Sequence, residues 1–213
     1  TGGTGADTIA FSAAVSGVVV SLGAGTDTLT LADGSNTVTA TNVETVTGGT
    51  GADAVTLGAA VTGAAVDLGA GADTLTLANG VNTVTATNIE TVTGGTGNDT
   101  VTLGAAITAA TVSLGAGTDT LILADGANDV TVTGVETVTG GTGADTVTLT
   151  AATTGNLISL GAGTDTLALA DGANTLTVSN VETITGGTGA DAITLGAAQT
   201  TGSIALGAGA DTL

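Results

Sequence analysis

The chain of 213 residues holds 37 Gly, 19 Asp or Glu and one aromatic residue, Phe11, with no Lys, Arg, His, Pro, Cys, Met, Trp or Tyr. A net charge of −19 without one basic side chain gives no means of neutralising phosphates and repels anionic surfaces, which excludes nucleic acid as a partner. No run approaches the roughly 18 apolar residues of a spanning helix, so no membrane insertion is expected, and without His and Cys the available chemistry reduces to carboxylates, hydroxyls and backbone.

In chain order, the first signal is the turn Gly2-Gly3-Thr4-Gly5-Ala6-Asp7, followed twenty residues on by Leu22-Gly23-Ala24-Gly25-Thr26-Asp27. After it comes a Thr-Leu alternation at 28–31, a turn at 32–36 containing Asp33-Gly34 and ending at Asn36, and a second alternation at 37–40. A bend at Asn42 leads into Val43-Glu44-Thr45-Val46-Thr47. The turn then returns as Gly48 to Asp53, with a strand at 54–57 and a connection through Gly58 and Gly63 to Leu68. Period-2 alternation of Thr with Val, Leu or Ile predicts short strands with Thr outward and Leu29, Leu31, Val38, Val43 and Val46 inward.

The whole pattern repeats every 46 residues: G-G-T-G turns start at Gly2, Gly48, Gly94, Gly140 and Gly186, and L-G-A-G turns at Leu22, Leu68, Leu114, Leu160 and Leu206. Repeats of this size bury their apolar faces only by stacking, which predicts an all-β, parallel β-solenoid (β-roll or β-helix) with two coils per 46-residue repeat. Residues 1–213 are expected to form one continuous solenoid excerpted from a longer array. Its units are 2–47, 48–93, 94–139, 140–185 and the incomplete 186–213. At the bend, the series Asn42, Asn88, Gly134, Asn180 predicts positive φ, since Asn and Gly exchange where the left-handed region is required. A second series, Asn36, Asn82, Asn128 and Asn174, is expected to stack into an amide ladder.

Ten of the acids end the G-x-G-x-D turns: Asp7, Asp27, Asp53, Asp73, Asp99, Asp119, Asp145, Asp165, Asp191 and Asp211. Stacked in register they form a column of carboxylates about 5 Å apart, with no cationic side chain to offset their repulsion. An oxygen-only site calls for a hard divalent cation, and Ca²⁺ suits it better than Mg²⁺ because it accepts irregular shells of six to eight oxygens. Asp33, Asp125 and Asp171, with Asn79 in the same slot, read as turn formers. For Glu44, Glu90, Glu136 and Glu182, a solvated strand position is preferred and a calcium ligand is the alternative.

Gly2-Gly3-Thr4-Gly5-Ala6-Asp7-Thr8-Ile9-Ala10 resembles the RTX nonapeptide G-G-x-G-x-D-x-U-x at every position, and residues 94–102 do so with an Asn-Asp ending. The resemblance implies a calcium-binding parallel β-roll or β-helix of a secreted bacterial protein, with Ca²⁺ between turns of adjacent coils on the Asp carboxylates and backbone carbonyls. The second turn series departs from it, with Leu22 and its equivalents replacing the first Gly, so those turns either form incomplete sites or share ions. The spacing of 20 and 26 residues, wider than the nine of a β-roll, favours one motif per coil and a single calcium edge. The N-V-E-T-V-T-G-G strings resemble repeats of surface-layer and adhesin-type proteins.

The expected function is a calcium-binding structural segment of an extracellular or cell-surface protein: an adhesin stalk, surface layer or filament, with copies of itself as partners. The alternative is an RTX folding or secretion module attached to an enzyme or toxin domain outside the segment, and a lesser one is an ice-binding solenoid. The segment is not expected to be an enzyme, because its acids recur identically in every unit instead of forming one unique constellation.

Overall fold

A computed structural model describes residues 2–197 and 201–213, and the regular elements among them are all β-strands. In chain order they are β1 (Thr8–Ala10), β2 (Ser16–Ser21), β3 (Thr28–Thr30), β4 (Thr37–Thr41), β5 (Thr45–Thr50), β6 (Ala54–Leu57), β7 (Thr62–Ala70), β8 (Thr74–Thr76), β9 (Thr83–Thr87), β10 (Thr91–Thr96) and β11 (Thr100–Leu103). They continue as β12 (Ala110–Ala116), β13 (Thr120–Ile122), β14 (Asp129–Thr133), β15 (Thr137–Thr139), β16 (Thr146–Leu149), β17 (Thr154–Ser159), β18 (Thr166–Ala168), β19 (Thr175–Ser179), β20 (Thr183–Thr185), β21 (Ala192–Leu195) and β22 (Ser203–Ala205).

The chain falls into two compact units, one reaching Gly104 and including Leu114–Gly117, the other made of Ala105–Ser113 and Thr118–Leu213. Within the first, the odd strands β1 to β11 pair in order into one parallel sheet. The even strands β2 to β10 form a second parallel sheet. The second unit repeats this with β13 to β21 and β12 to β22. Because successive strands always join opposite sheets, two strands make one coil, and each unit is the parallel β-solenoid that the repeat predicts.

Register follows from side-chain identity. Leu29 pairs with Val46 and Val46 with Val66, while Val38, Val55, Leu75 and Val92 stack in the other sheet. Leu29, Leu31, Val38, Val43 and Val46 are all buried, and each such side chain contributes about 1.5–3 kcal/mol over its exposed state. A slip of one residue would turn this whole column outward. Phe11 lies half-buried beside β1 in the terminal coil.

The coil count departs from expectation. Coils span 20 residues from Thr8 to Thr28, 17 from Thr28 to Thr45, 20 from Val46 to Val66, 21 across a bulge from Thr62 to Thr83 and 17 from Thr83 to Thr100. A 46-residue repeat therefore holds five strands, such as β6 to β10, which is two and a half coils and not two. The corners at Asn36 and Glu44 close coils as effectively as the G-x-G-x-D turns do. With an odd number of strands per repeat, equivalent strands alternate between sheets: β3 lies in the odd sheet and its equivalent β8 in the even one. The expected Asn36-type amide ladder fails for the same reason, since Asn36 and Asn82 begin strands on opposite sides.

Candidate metal centre

The residue that opens each strand sits at a corner of the coil, with its carbonyl accepting from the next coil, as Thr74 N–H donates to Asp53 O at 2.8 Å. Because equivalent strands alternate between sheets, the turn aspartates do not form one column of ten along a single edge. They come in stacked pairs, flanked in the complete sets by an Asn before and a Glu after. On the edge leading into the even sheet of the first unit the order is Asn36, Asp53, Asp73, Glu90; in the second unit it is Asn128, Asp145, Asp165, Glu182. The opposite edges carry Asp7, Asp27, Glu44 and later Asn82, Asp99 in the first unit. In the second they carry Asp119, Glu136, and then Asn174, Asp191, Asp211.

These corner side chains are inside the wall, not on it. Asp27, Asp53, Asp73, Asp99, Asp119, Asp145, Asp165 and Asp191 are at most 1% exposed, while Asp7 and Asp211 in the terminal coils are half-buried. Within each unit, one oxygen of the inner carboxylates receives the backbone N–H of the preceding corner. Val15 N–H donates to Asn36 Oδ1 at 3.0 Å, Asn36 N–H to Asp53 Oδ1 at 2.9 Å, Asp53 N–H to Asp73 Oδ1 at 2.7 Å and Asp73 N–H to Glu90 Oε2 at 2.8 Å. The second unit runs identically from Ile107 through Asn128, Asp145 and Asp165 to Glu182. The Glu series is thus part of the ladder and half-buried, which corrects the reading of a merely solvated strand position. Sequence reasoning missed this because Glu44 lies 17 residues beyond Asp27, a spacing that only the stacking makes meaningful.

A charge-assisted bond of this kind satisfies one oxygen of a carboxylate. The Oδ2 atoms of Asp27, Asp53, Asp73, Asp145, Asp165 and Asp191 are buried without a hydrogen-bond partner. Burial is the main reason that Asp73 and Asp165 are pushed above the ordinary carboxylate value of 3.8. The N–H donated from the preceding Asp works against that rise, and the charges of Asp53 and Glu90, or Asp145 and Glu182, add to it. Adjacent carboxylates one coil apart, about 4.8 Å, repel by about 3 kcal/mol at a near-surface dielectric.

The turn backbone supplies the other half of a cation site. A Cβ at Gly71 would run into the Gly51 carbonyl of the preceding turn and lie 2.8 Å from Asp73 Oδ1; at Gly163 it would meet Gly143 O and lie 2.9 Å from Asp165 Oδ1. Only glycine leaves this cradle open, and it is lined by oxygens from both stacked turns. Among the described residues no three acidic side chains gather round one point, so an ion here would draw on carbonyls as well as carboxylates. Buried unpartnered oxygens, a glycine cradle and the absence of any cationic side chain fit Ca²⁺, which takes mixed carboxylate and carbonyl shells.

A family model for the RTX calcium-binding nonapeptide repeat matches this chain in four copies, over residues 84–106, 130–151, 148–176 and 179–198. The chain carries RTX calcium-binding repeats. RTX nonapeptide repeats bind calcium ions, so these stretches form a calcium-binding repeat module. No curated protein matches, and no solved structure matches.

Four of the remaining acids have other partners. Asp33 Oδ1 accepts from Thr50 N–H and Oγ1, both at 3.0 Å, and Asp125 and Asp171 hold Thr142 and Thr188 in the same way. Asn79 Oδ1 does so for Thr96 N–H at 3.1 Å. Asp67 Oδ1 accepts from Asn88 Nδ2 at 2.8 Å. No helix among the described residues is long and apolar enough to cross a membrane.

Proposed function

We propose that the ten turn aspartates, from Asp7 to Asp211, hold Ca²⁺ between stacked turns, and that the five repeats serve as one calcium-rigidified structural segment of a secreted or cell-surface protein. The observation that carries the reading is the set of buried, unpartnered Asp oxygens in a chain without a single basic residue. A carboxylate taken out of water without a partner costs several kcal/mol, and bound Ca²⁺ supplies the missing charge. The protein side chains orient the site: Oδ1 is fixed by the neighbouring N–H, which leaves the buried Oδ2 free to take an ion. A structural role, such as a stalk, surface layer or filament assembled from copies of the chain, suits acids that recur in every repeat and leave no unique constellation for catalysis. On this reading the segment is not an enzyme, and calcium outside the cell completes its folding.

Far-ultraviolet circular dichroism of the 213-residue chain tests this directly. The β spectrum should be weaker and melt at a lower temperature in excess chelator than in millimolar Ca²⁺, with a melting temperature that climbs with free Ca²⁺ as mass action requires. Superimposable spectra and equal melting temperatures in the two buffers would overturn the calcium role.

A further inference from the structure

The Asn corners contain an arrangement that the Asp corners lack. Asn36 Nδ2 donates to Ala32 O and Gly34 O, both at 2.7 Å, and to Asp53 Oδ1 at 2.8 Å. These acceptors are the carbonyls four and two residues back in its own turn and the carboxylate one coil on. The set recurs at Asn82 with Ala78, Gly80 and Asp99, at Asn128 with Ala124, Gly126 and Asp145, and at Asn174 with Ala170, Gly172 and Asp191, all between 2.8 and 3.0 Å. A single amide NH2, whose two hydrogens carry the positive partial charge, is thus shared among three oxygens at every Asn corner.

One coil further on, Asp53 makes the same ladder bonds. Its Oδ1 accepts Asn36 N–H as Asn36 Oδ1 accepts Val15 N–H, and its own N–H goes to Asp73 Oδ1 as that of Asn36 goes to Asp53 Oδ1. The atom corresponding to Asn36 Nδ2 is therefore Asp53 Oδ2, an acceptor in place of a donor, and it is buried and unpartnered. The carbonyls four and two residues back are those of Gly49 and Gly51, and the carboxylate one coil on is that of Asp73, whose Oδ1 shares the Gly71 cradle with Gly51 O. Asp145 repeats the arrangement with Gly141, Gly143 and Asp165. Asp73 does so with Gly69, Gly71 and, as the group one coil on, Glu90.

We infer that the side-chain amide of Asn36, Asn82, Asn128 and Asn174 is a built-in stand-in for a calcium ion, so that a repeat such as 48–93 carries one self-filled corner and two corners, Asp–Asp and Asp–Glu, that an ion must fill. This rests on the calcium reading above and extends it: the same turn is switched between ion-filled and ion-free by one atom. It also assigns Glu90 and its equivalents as the group that completes the second site.

The exchange of that atom is testable in both directions on the full 213-residue chain. Asp145→Asn should bind one Ca²⁺ fewer by isothermal titration. In chelator it should melt above the parent, by about 2–4 °C or more, because Nδ2 can now donate to Gly141 O, Gly143 O and Asp165. Asp145→Ala, which lacks the amide, should lose the ion and gain no stability in chelator. Asn128→Asp should take up one additional Ca²⁺, melt below the parent in chelator and recover in saturating Ca²⁺. A parent that binds no calcium overturns both this inference and the function it rests on. A parent that binds calcium, together with an Asp145→Asn chain that melts with or below Asp145→Ala in chelator or an Asn128→Asp chain that gains no ion, overturns the stand-in alone.

Discussion

At Asn42, Asn88, Gly134 and Asn180 the backbone has φ of 52°, 52°, 58° and 53°, so the bend expected from Asn and Gly exchange is left-handed at every copy. Replacing Asn88 by Ala should cost about 1 kcal/mol, since Cβ is strained there, whereas Asn88→Gly should stay within a few tenths because Gly134 already occupies the slot. Asn88 also donates to Asp67, so the same pair at position 42 serves as a check; urea denaturation in saturating Ca²⁺ reads both. The raised carboxyls of Asp73 and Asp165 have a consequence of the opposite sign to ordinary acid lability. Because the folded state holds their protons more tightly than the unfolded chain, stability in chelator should rise as the pH falls from neutral through their folded values towards 3.8, and be lost as the pH rises again. A urea midpoint in chelator that drops steadily between pH 7 and pH 4.5 would contradict this.

Among the elements, the corner between β16 and β17 breaks the repeat. Thr150 stands where other repeats have Gly58, Gly104 and Gly196, and a Cβ at Gly58 or Gly104 would strike the hydroxyl of Thr41 or Thr87. Thr150 Oγ1 accordingly presses on Thr133 Oγ1, and beside it lies a cleft of about 320 Å³ lined by Val132, Gly134, Glu136, Leu149, Thr153 and Asn156. Asn156, replacing Ala64 and Ala110, is buried and donates Nδ2 to Val135 O at 2.6 Å. Thr153 takes the place of Val61 and Ile107, and its hydroxyl is buried without a partner. Restoring the pattern with Thr153→Val should raise stability by about 1 kcal/mol, the scale of an unsatisfied hydroxyl, seen as an upward shift in thermal midpoint at constant Ca²⁺. No shift, or a downward one, would mean that this hydroxyl is satisfied.

For the molecule as a whole, five strands per repeat make the 46-residue step a half-turn, and both sheets accept the same sequence. Excising residues 48–93 would join Thr47 to Gly94, the same junction that Thr93 makes in the parent, while exchanging the sheets of every later strand. Since each repeat depends chiefly on its neighbours, the shortened chain should fold in Ca²⁺ to the same β spectrum, melt within a few degrees of the parent and bind two fewer ions. A shortened chain that stays unfolded in saturating Ca²⁺ would show that sheet identity matters and that the half-turn equivalence is wrong.

The alternation of Thr with Val, Leu and Ile was enough to determine strands, inward faces and stacking, because period 2 and a repeat with no core of its own leave a parallel solenoid as the solution. The missing cations likewise called for a bound cation, since charge balance does not depend on conformation. Where the carboxylates meet was decided only by tertiary structure. Sequence spacing counts residues between turns, whereas the edge on which a turn falls depends on how many corners close the coil between them. The corners at Asn36 and Glu44 carry no G-x-G-x-D motif that marks them as coil closures. Once those two corners are in place, the single column becomes stacked pairs on alternating edges, Glu90 joins the ladder, and Asn36 fills by itself the position that Asp53 leaves to an ion.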